Sequence, residues 1–210
     1  MKNIVIALSK GRILKEIILF FKKNNIIIKE NIKKTRKLIL STNNKNIKII
    51  IMRSVDIPIY IKYGFIDIGI LGKDILKEKK MKKKNYFFKN LNISKCRLSL
   101  IVKNKNKYFD NIKNKKILYI ATKYINITKK YFFKKNINIK IIKFYGCIEL
   151  CLLLKISDAI IDIIGSKKTI KINNLLEIDK IIKISSKLIV NKISYKFKKN
   201  IINKILKLKI

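Results

Sequence analysis

The chain has no histidine and no tryptophan, one proline, six glycines and three cysteines in 210 residues. Without histidine, imidazole acid–base chemistry and most zinc sites are excluded. The cysteines, Cys96, Cys147 and Cys151, are odd in number and lack disulfide or metal spacing. Cys147 and Cys151, four apart, read as one face of a helix in a core. Acids are scarce as well: 12 Asp+Glu stand against 52 Lys+Arg, a formal net charge of +40. No apolar run approaches the roughly 20 residues of a membrane span. The opening apolar stretch is too short for a secretion signal, so the chain reads as cytoplasmic and reduced.

What is abundant is lysine, isoleucine and asparagine. Only four of the basic residues are arginine, namely Arg12, Arg36, Arg53 and Arg97. Proteins that read nucleic acid favour arginine for its bidentate fork, and these lysines are spread along the whole chain. All three abundant residues have A/T-rich codons, so mutational bias accounts for the composition. A hydrophobic content of 49% is enough for a core and argues against disorder.

Short β-branched runs alternate with helical spacings. Asn3–Leu8 reads as a strand leading through Ser9-Lys10-Gly11-Arg12 into a helix marked by Ile13, Leu14, Ile17, Ile18 and Phe21. Leu38–Thr42 and Ile47–Met52 flank a hairpin turn, Val55–Tyr63 suits a short helix stopped by Gly64, and Asp67–Leu71 is a buried strand. Lys77–Asn85 reads as a surface loop or helix end, followed by strands at Tyr86–Leu91 and Arg97–Val102. A second block has strands at Ile117–Ala121, Ile139–Lys143 and Ala159–Ile163, with helices at Thr128–Lys135 and Ile148–Leu154. Ser185–Val190 is a late strand and Lys192–Leu206 a final helix. This alternation predicts an α/β fold with mostly parallel sheets in two lobes: 1–91 with 185–210, and 92–184. Ligands of such sheets sit beyond the carboxyl ends of strands.

Four clusters fall next to predicted strand ends. In Ser9-Lys10-Gly11-Arg12 a glycine turn presents backbone N–H groups to an anion, flanked by two cations; basic residues are common here, so the local signal is weak. Arg53 with Asp56 either binds a ligand or forms a pair capping the next helix. Gly69 to Gly72 admits close backbone approach, while Asp74 either faces a ligand or caps a helix. The most specific cluster is Glu149 followed by Asp158, Asp162, Gly165, Ser166, Lys167, Lys168 and Thr169. A small-residue loop at a helix start can cradle a phosphate, and carboxylates beside it can hold sugar hydroxyls or Mg²⁺. The bland alternative is a buried strand with capping residues.

These segments together resemble the ATP phosphoribosyltransferases. The opening IALSKGR, the block MRSVDIPIYIKYGFIDIGILGKD, IATKYINITKKYF, YGCIELCLLLKISDAIIDIIGSKKTIKINNLLEI and SSKLIVNK follow that family's order from residue 1 to about 195. The resemblance implies a two-lobed fold like the type II periplasmic binding proteins, with the active site in the interlobe cleft. It implies transfer of phosphoribosyl from phosphoribosyl pyrophosphate (PRPP) to N1 of ATP, releasing pyrophosphate, the first step of histidine biosynthesis. Carried over by position, Ser166 to Thr169 would hold the 5′-phosphate, and Glu149, Asp158 and Asp162 would face the ribose. Lys10, Arg12, Arg53 and Asp74 would line the cleft against polyphosphate. Mg²⁺ would bridge the substrate phosphates, with Asp158 and Asp162 as candidate ligands. A chain ending at residue 210 matches the short form, which works with a regulatory subunit similar to histidyl-tRNA synthetase in a hetero-octamer; a homo-oligomer is the other arrangement. No membrane or specific nucleic acid is implied.

The chain departs from the family pattern chiefly at Lys167, where the family has glycine; a β-carbon there hinders close backbone approach. The competing readings are a family member that has lost activity and, in a different class, a lysine-rich nucleic-acid-binding protein.

Overall fold

The computed structural model describes residues 3–82, 84–166 and 168–208. The chain divides into two compact units, Met1–Ser94 with Ser185–Ile210, and Lys95–Ile184.

The first unit is built on a six-stranded sheet. In chain order its strands are β1 (Ile4–Ser9), β2 (Ile39–Ser41), β3 (Ile47–Met52), β4 (Ile68–Gly72), β5 (Tyr86–Asn90) and β11 (Ser186–Asn191). Their spatial order is β2-β3-β1-β4-β11-β5. Strand alternation decides what covers each face. Ile4, Ile6 and Leu8 point into a core with Ile68, Ile70, Leu188 and Val190. Helices α1 (Arg12–Lys23) and α8 (Lys192–Leu206) add Ile17, Phe20, Phe21, Ile202 and Ile205 to that core. Ala7 and Gly69, paired in register, point the other way. A Cβ on Gly69 would collide with Ile61 Cδ1 and stand 2.6 Å from Ile57 Cγ2. Gly69 thus makes room for α2 (Ile57–Lys62), not for a ligand as the sequence alone allows. Helix α3 (Lys73–Glu78) follows β4 directly.

The second unit has five strands, β6 (Cys96–Val102), β7 (Leu118–Thr122), β8 (Ile139–Lys143), β9 (Ala159–Ile164) and β10 (Leu176–Ile184), in the order β10-β6-β9-β7-β8. Its helices are α4 (Lys105–Lys113), α5 (Ile125–Phe133), α6 (Leu150–Leu153) and α7 (Lys168–Ile172). Ile101, Ala121, Ile160 and Ile164 pack with Ile148, Cys151, Leu152 and Ile170 in its core. Cys151 is buried there, but Cys147 precedes α6 and is exposed, so the two do not share a helix face.

Both sheets are mixed, whereas the strand–helix alternation predicts mostly parallel ones. β1 runs parallel to β3 and β4, and β7 runs parallel to β8 and β9. β2, β11, β5, β6 and β10 pair antiparallel around these parallel centres. The reversed strands are β2, β11 and β6; β5 and β10, each paired to one of them, run in the same direction as the parallel set. Among the described residues no helix is long and apolar enough to cross a membrane.

Candidate functional site

In the first unit three parallel strands end together. Ser9 pairs with Met52, and the Lys10 N–H donates to Met52 O at 2.8 Å, so the ladder carries Lys10 level with Arg53. Leu8 pairs with Ile70, which brings the end of β4 at Gly72 to the same edge. Lys10 and Arg53 are exposed. Gly11, at φ 101° and ψ −146°, closes the turn into α1 with nothing within 4 Å of a built Cβ. That conformation is essentially restricted to glycine and leaves the backbone open to approach. Arg12 opens α1, but its side chain lies outside the described residues.

Asp56 and Asp74 differ in setting. Asp56 is half-buried at the start of α2 and its side chain makes no capping hydrogen bond. Among the described residues no ion pair joins it to Arg53, so the Arg–Asp cap, one of the two readings of this pair, is not formed. Asp74 is 4% exposed in the first turn of α3, one residue past the strand end. The backbone there is tied down, since the Lys73 N–H donates to Ser185 O.

In the second unit the carboxyl ends of β7 and β9 meet. Thr122 pairs with Ile161, and its hydroxyl donates to Ile161 O at 2.8 Å while accepting the Tyr124 N–H at 3.0 Å. This fixes the turn after β7 and sets Lys123 against the next residue of β9. Lys123 Nζ stands 3.1 Å from Asp162 Oδ1, and the Asp162 side chain is only 15% exposed. β9 continues to Ile164 and opens into exposed Gly165 and Ser166, followed by exposed Lys168 and Thr169 at the start of α7. Lys167 lies outside the described residues. Glu149 is half-buried at the start of α6, in the segment after β8.

The structure therefore brings Asp162, Gly165, Ser166, Lys168 and Thr169 to one end of β9. It does not bring Asp158 there, and the sequence-based grouping of the two aspartates is corrected. Asp158 precedes the strand, about 13 Å from Asp162 at the usual rise per residue. Its N–H donates to Tyr119 O at 2.9 Å and its Oδ2 accepts the Tyr119 N–H at 2.8 Å. That reciprocal pair starts the parallel alignment of β7 and β9, so Asp158 sets register at the amino end. Asp158 and Asp162 cannot share a metal. Among the described residues no group of three or more histidine, cysteine, aspartate or glutamate side chains could hold one.

Lys123 is the site residue that sequence reasoning missed. Its signal was the block IATKYINITKKYF, where the lysine directly follows a strand, but one lysine among so many carries little information.

The fold defines the class first. The substrate binding protein of an amino acid ABC transporter is similar in fold, with a TM-score of 0.55 at 18% identity over 97% of this chain and 89% of that one. The chain thus has the α/β architecture of the type II periplasmic binding proteins. The family is narrower. ATP phosphoribosyltransferase (HisG) matches residues 53–209. An ATP phosphoribosyltransferase of Albidiferax ferrireducens is 40% identical over 176 residues, 84% of this chain and 82% of that protein. One of Ruthia magnifica is 40% identical over 178 residues, 84% of this chain and 83% of that protein. The solved ATP phosphoribosyl transferase (HisG:HisZ) complex from Thermotoga maritima has a TM-score of 0.79 at 30% identity, over 97% of this chain and 94% of that one. The chain belongs to the ATP phosphoribosyltransferase family.

Proposed function

We propose that the protein transfers phosphoribosyl from PRPP to N1 of ATP. The adenine N1 lone pair forms the new bond to ribose C1 as the C1–O bond to pyrophosphate breaks, and both electrons of that bond leave with pyrophosphate. The product is phosphoribosyl-ATP, in the first step of histidine biosynthesis. The observation that carries this reading, beside family membership, is the end of β9, where a half-buried carboxylate at Asp162 leads into exposed Gly165, Ser166, Lys168 and Thr169.

Such a reaction develops positive charge on the ribose and negative charge on the departing pyrophosphate. It asks for positioning and fixed charge more than for proton transfer, which suits a chain without histidine. In this reading Gly165, Ser166, Lys168 and Thr169 hold the 5′-phosphate through backbone N–H groups, hydroxyls and a cation. Asp162 and Glu149 accept hydrogen bonds from ribose hydroxyls. Lys10, Arg12 and Arg53 neutralise polyphosphate beside the Gly11 and Gly72 turns, with Asp56 and Asp74 toward the same ligand.

Magnesium fits this arrangement as an ion brought in on substrate phosphates, because the described residues offer no ready carboxylate cluster. Bound there, it would neutralise phosphate charge. The solved relative is a HisG:HisZ complex. This supports a regulatory subunit as the partner here, and the biosynthetic enzymes among the relatives support a cytoplasmic setting.

The test is product formation from ATP, PRPP and Mg²⁺, followed as phosphoribosyl-ATP absorbance or pyrophosphate release, with and without a HisZ-type subunit and beside Lys167→Gly. Product from the wild-type chain is expected. Product only from Lys167→Gly would identify a family member that has lost activity, and none from either would overturn the proposal.

A further inference from the structure

A cavity of about 390 Å³ opens in the second unit at the amino end of β9, the end away from Asp162 and Ser166. Lys103, Lys107 and Lys155 line it, and among the described residues none of the three stands in an ion pair. Its one carboxylate is Asp158, whose Oδ2 already accepts the Tyr119 N–H and whose Oδ1 lies 3.4 Å from Asn111 Nδ2. The local charge is therefore positive.

The polar groups add up in one direction. Two acceptors on the wall are engaged: Asp158 as described, and Asn104 Oδ1 by the Lys107 N–H at 3.0 Å. Donors are in excess. The three ammonium groups have hydrogens to give, and Asn111 retains a second amide hydrogen. Ser157 also lines the cavity; it is 8% exposed, and its hydroxyl has no hydrogen-bond partner among the described residues. A buried hydroxyl without a partner carries a free-energy cost that a ligand oxygen would relieve. Leu152 and the ring of Tyr108 give the remaining wall an apolar surface.

We infer that this cavity is a second anion site, separate from the end of β9 that carries the proposed catalytic groups, and that it takes the phosphate group of a small phosphorylated molecule. A wall with three cations and its one carboxylate occupied selects a ligand with many acceptor oxygens and negative charge. Three lysines suit a phosphate dianion better than a singly charged carboxylate. The volume leaves room for a small organic group beyond the phosphate.

The site is read directly by titrating ¹⁵N-labelled full-length protein with inorganic phosphate in about 150 mM KCl, where surface charges are screened beyond about 8 Å. Saturable shifts of the Lys105, Asn106, Asn111 and Ser157 amides are expected, distinct from any shifts at Ser166 and Thr169. Lys107→Ala with Lys155→Ala weakens that binding at least tenfold, and Ser157→Ala weakens it several-fold while leaving the fold intact. The charge-matched pair Lys22→Ala with Lys23→Ala, on α1, leaves it unchanged. The inference is overturned if those amides do not shift saturably. Equal weakening by the α1 pair overturns it too, as does acetate binding as tightly as phosphate. None of these readouts depends on catalysis, so the proposed reaction can fail while this site stands, and the reverse.

Discussion

Lys198 Nζ reaches both carboxylate oxygens of Asp67, at 2.9 and 2.8 Å, from a residue of α8 whose φ of −129° and ψ of 29° are not helical. The ammonium also donates to Asn3 O at 2.8 Å, and Asp67 Oδ2 accepts the Val5 N–H at 2.9 Å. The kink lets one side chain tie the C-terminal helix to the start of β1 and the residue before β4. Asp67 is 5% and Lys198 20% exposed at the side chain. Removing one partner of such a pair leaves the other charge partly buried, at a cost of about 3 kcal/mol. Asp67→Ala or Lys198→Met should lower the urea midpoint accordingly, and the double variant should cost less than the sum of the two. Single variants within about 0.5 kcal/mol of wild type would show that the pair is surface-like.

A second prediction concerns acid. The Arg97 guanidinium bonds both oxygens of Glu177, at 2.5 and 2.6 Å, and the Ser99 hydroxyl donates to the same carboxylate at 2.8 Å. Chiefly through the Arg97 hydrogen bonds, Glu177 is held below its ordinary value of 4.5. Asp179 is likewise lowered, first by the hydroxyl of Tyr131 and then by Lys135. A carboxylate lowered in the folded state adds stability that is full above its unfolded pKa and is lost as pH falls through its folded one. Stability should therefore drop below about pH 4.5, and Glu177→Gln should make that drop shallower while lowering stability at neutral pH. Parallel pH profiles for the two proteins would remove Glu177 as a source of the acid sensitivity.

Two glycines separate stability from function. Gly69→Ala drives a methyl into Ile61 and Ile57 of α2, an overpacking that costs about 1–3 kcal/mol. Gly11→Ala meets no neighbour, but forces an L-residue to φ 101° at a cost of about 1–3 kcal/mol. It also changes the turn assigned to polyphosphate. Thermal unfolding should show losses for both. At saturating stability, well below either melting point, only Gly11→Ala should raise KM for ATP or PRPP. A raised KM in Gly69→Ala alone would reverse these assignments.

Much of this architecture could be read from the chain, and the misses have physical causes. Short β-branched runs between turns marked β1, β3 and β9 to within a residue or two, and α8 was bounded at Lys192 and Leu206 by its apolar spacing. Helix α4 escaped notice because its nine residues bury only Tyr108. β10 escaped because register shifts between Glu177 and Asp179, and again between Lys180 and Ile182, break the two-residue alternation. The β9 loop was recognisable from Gly165, Ser166 and Thr169 as a motif. Asp158 likewise falls just before the strand read at Ala159–Ile163, but its bond to the Tyr119 N–H was not legible, because the partner strand and its register are not written in one dimension.

Lys123 illustrates the limit most directly and gives the last prediction. Its ammonium, 3.1 Å from Asp162 Oδ1, is the charged partner that holds this carboxylate at the end of β9. If Asp162 meets the ribose of PRPP, Lys123 is a positioning residue acting through it. Lys123→Met should then lower kcat/KM for PRPP by about tenfold to a hundredfold, the usual range for an outer partner of a binding group. KM for ATP should change little, and Lys123→Arg should recover most of the loss. A merely structural lysine would instead lower the melting temperature and leave the ratio of the two KM values untouched. Measuring melting beside both KM values for the three proteins separates these outcomes. An unchanged KM for PRPP in a well-folded Lys123→Met protein would remove the Lys123–Asp162 pair from the reaction.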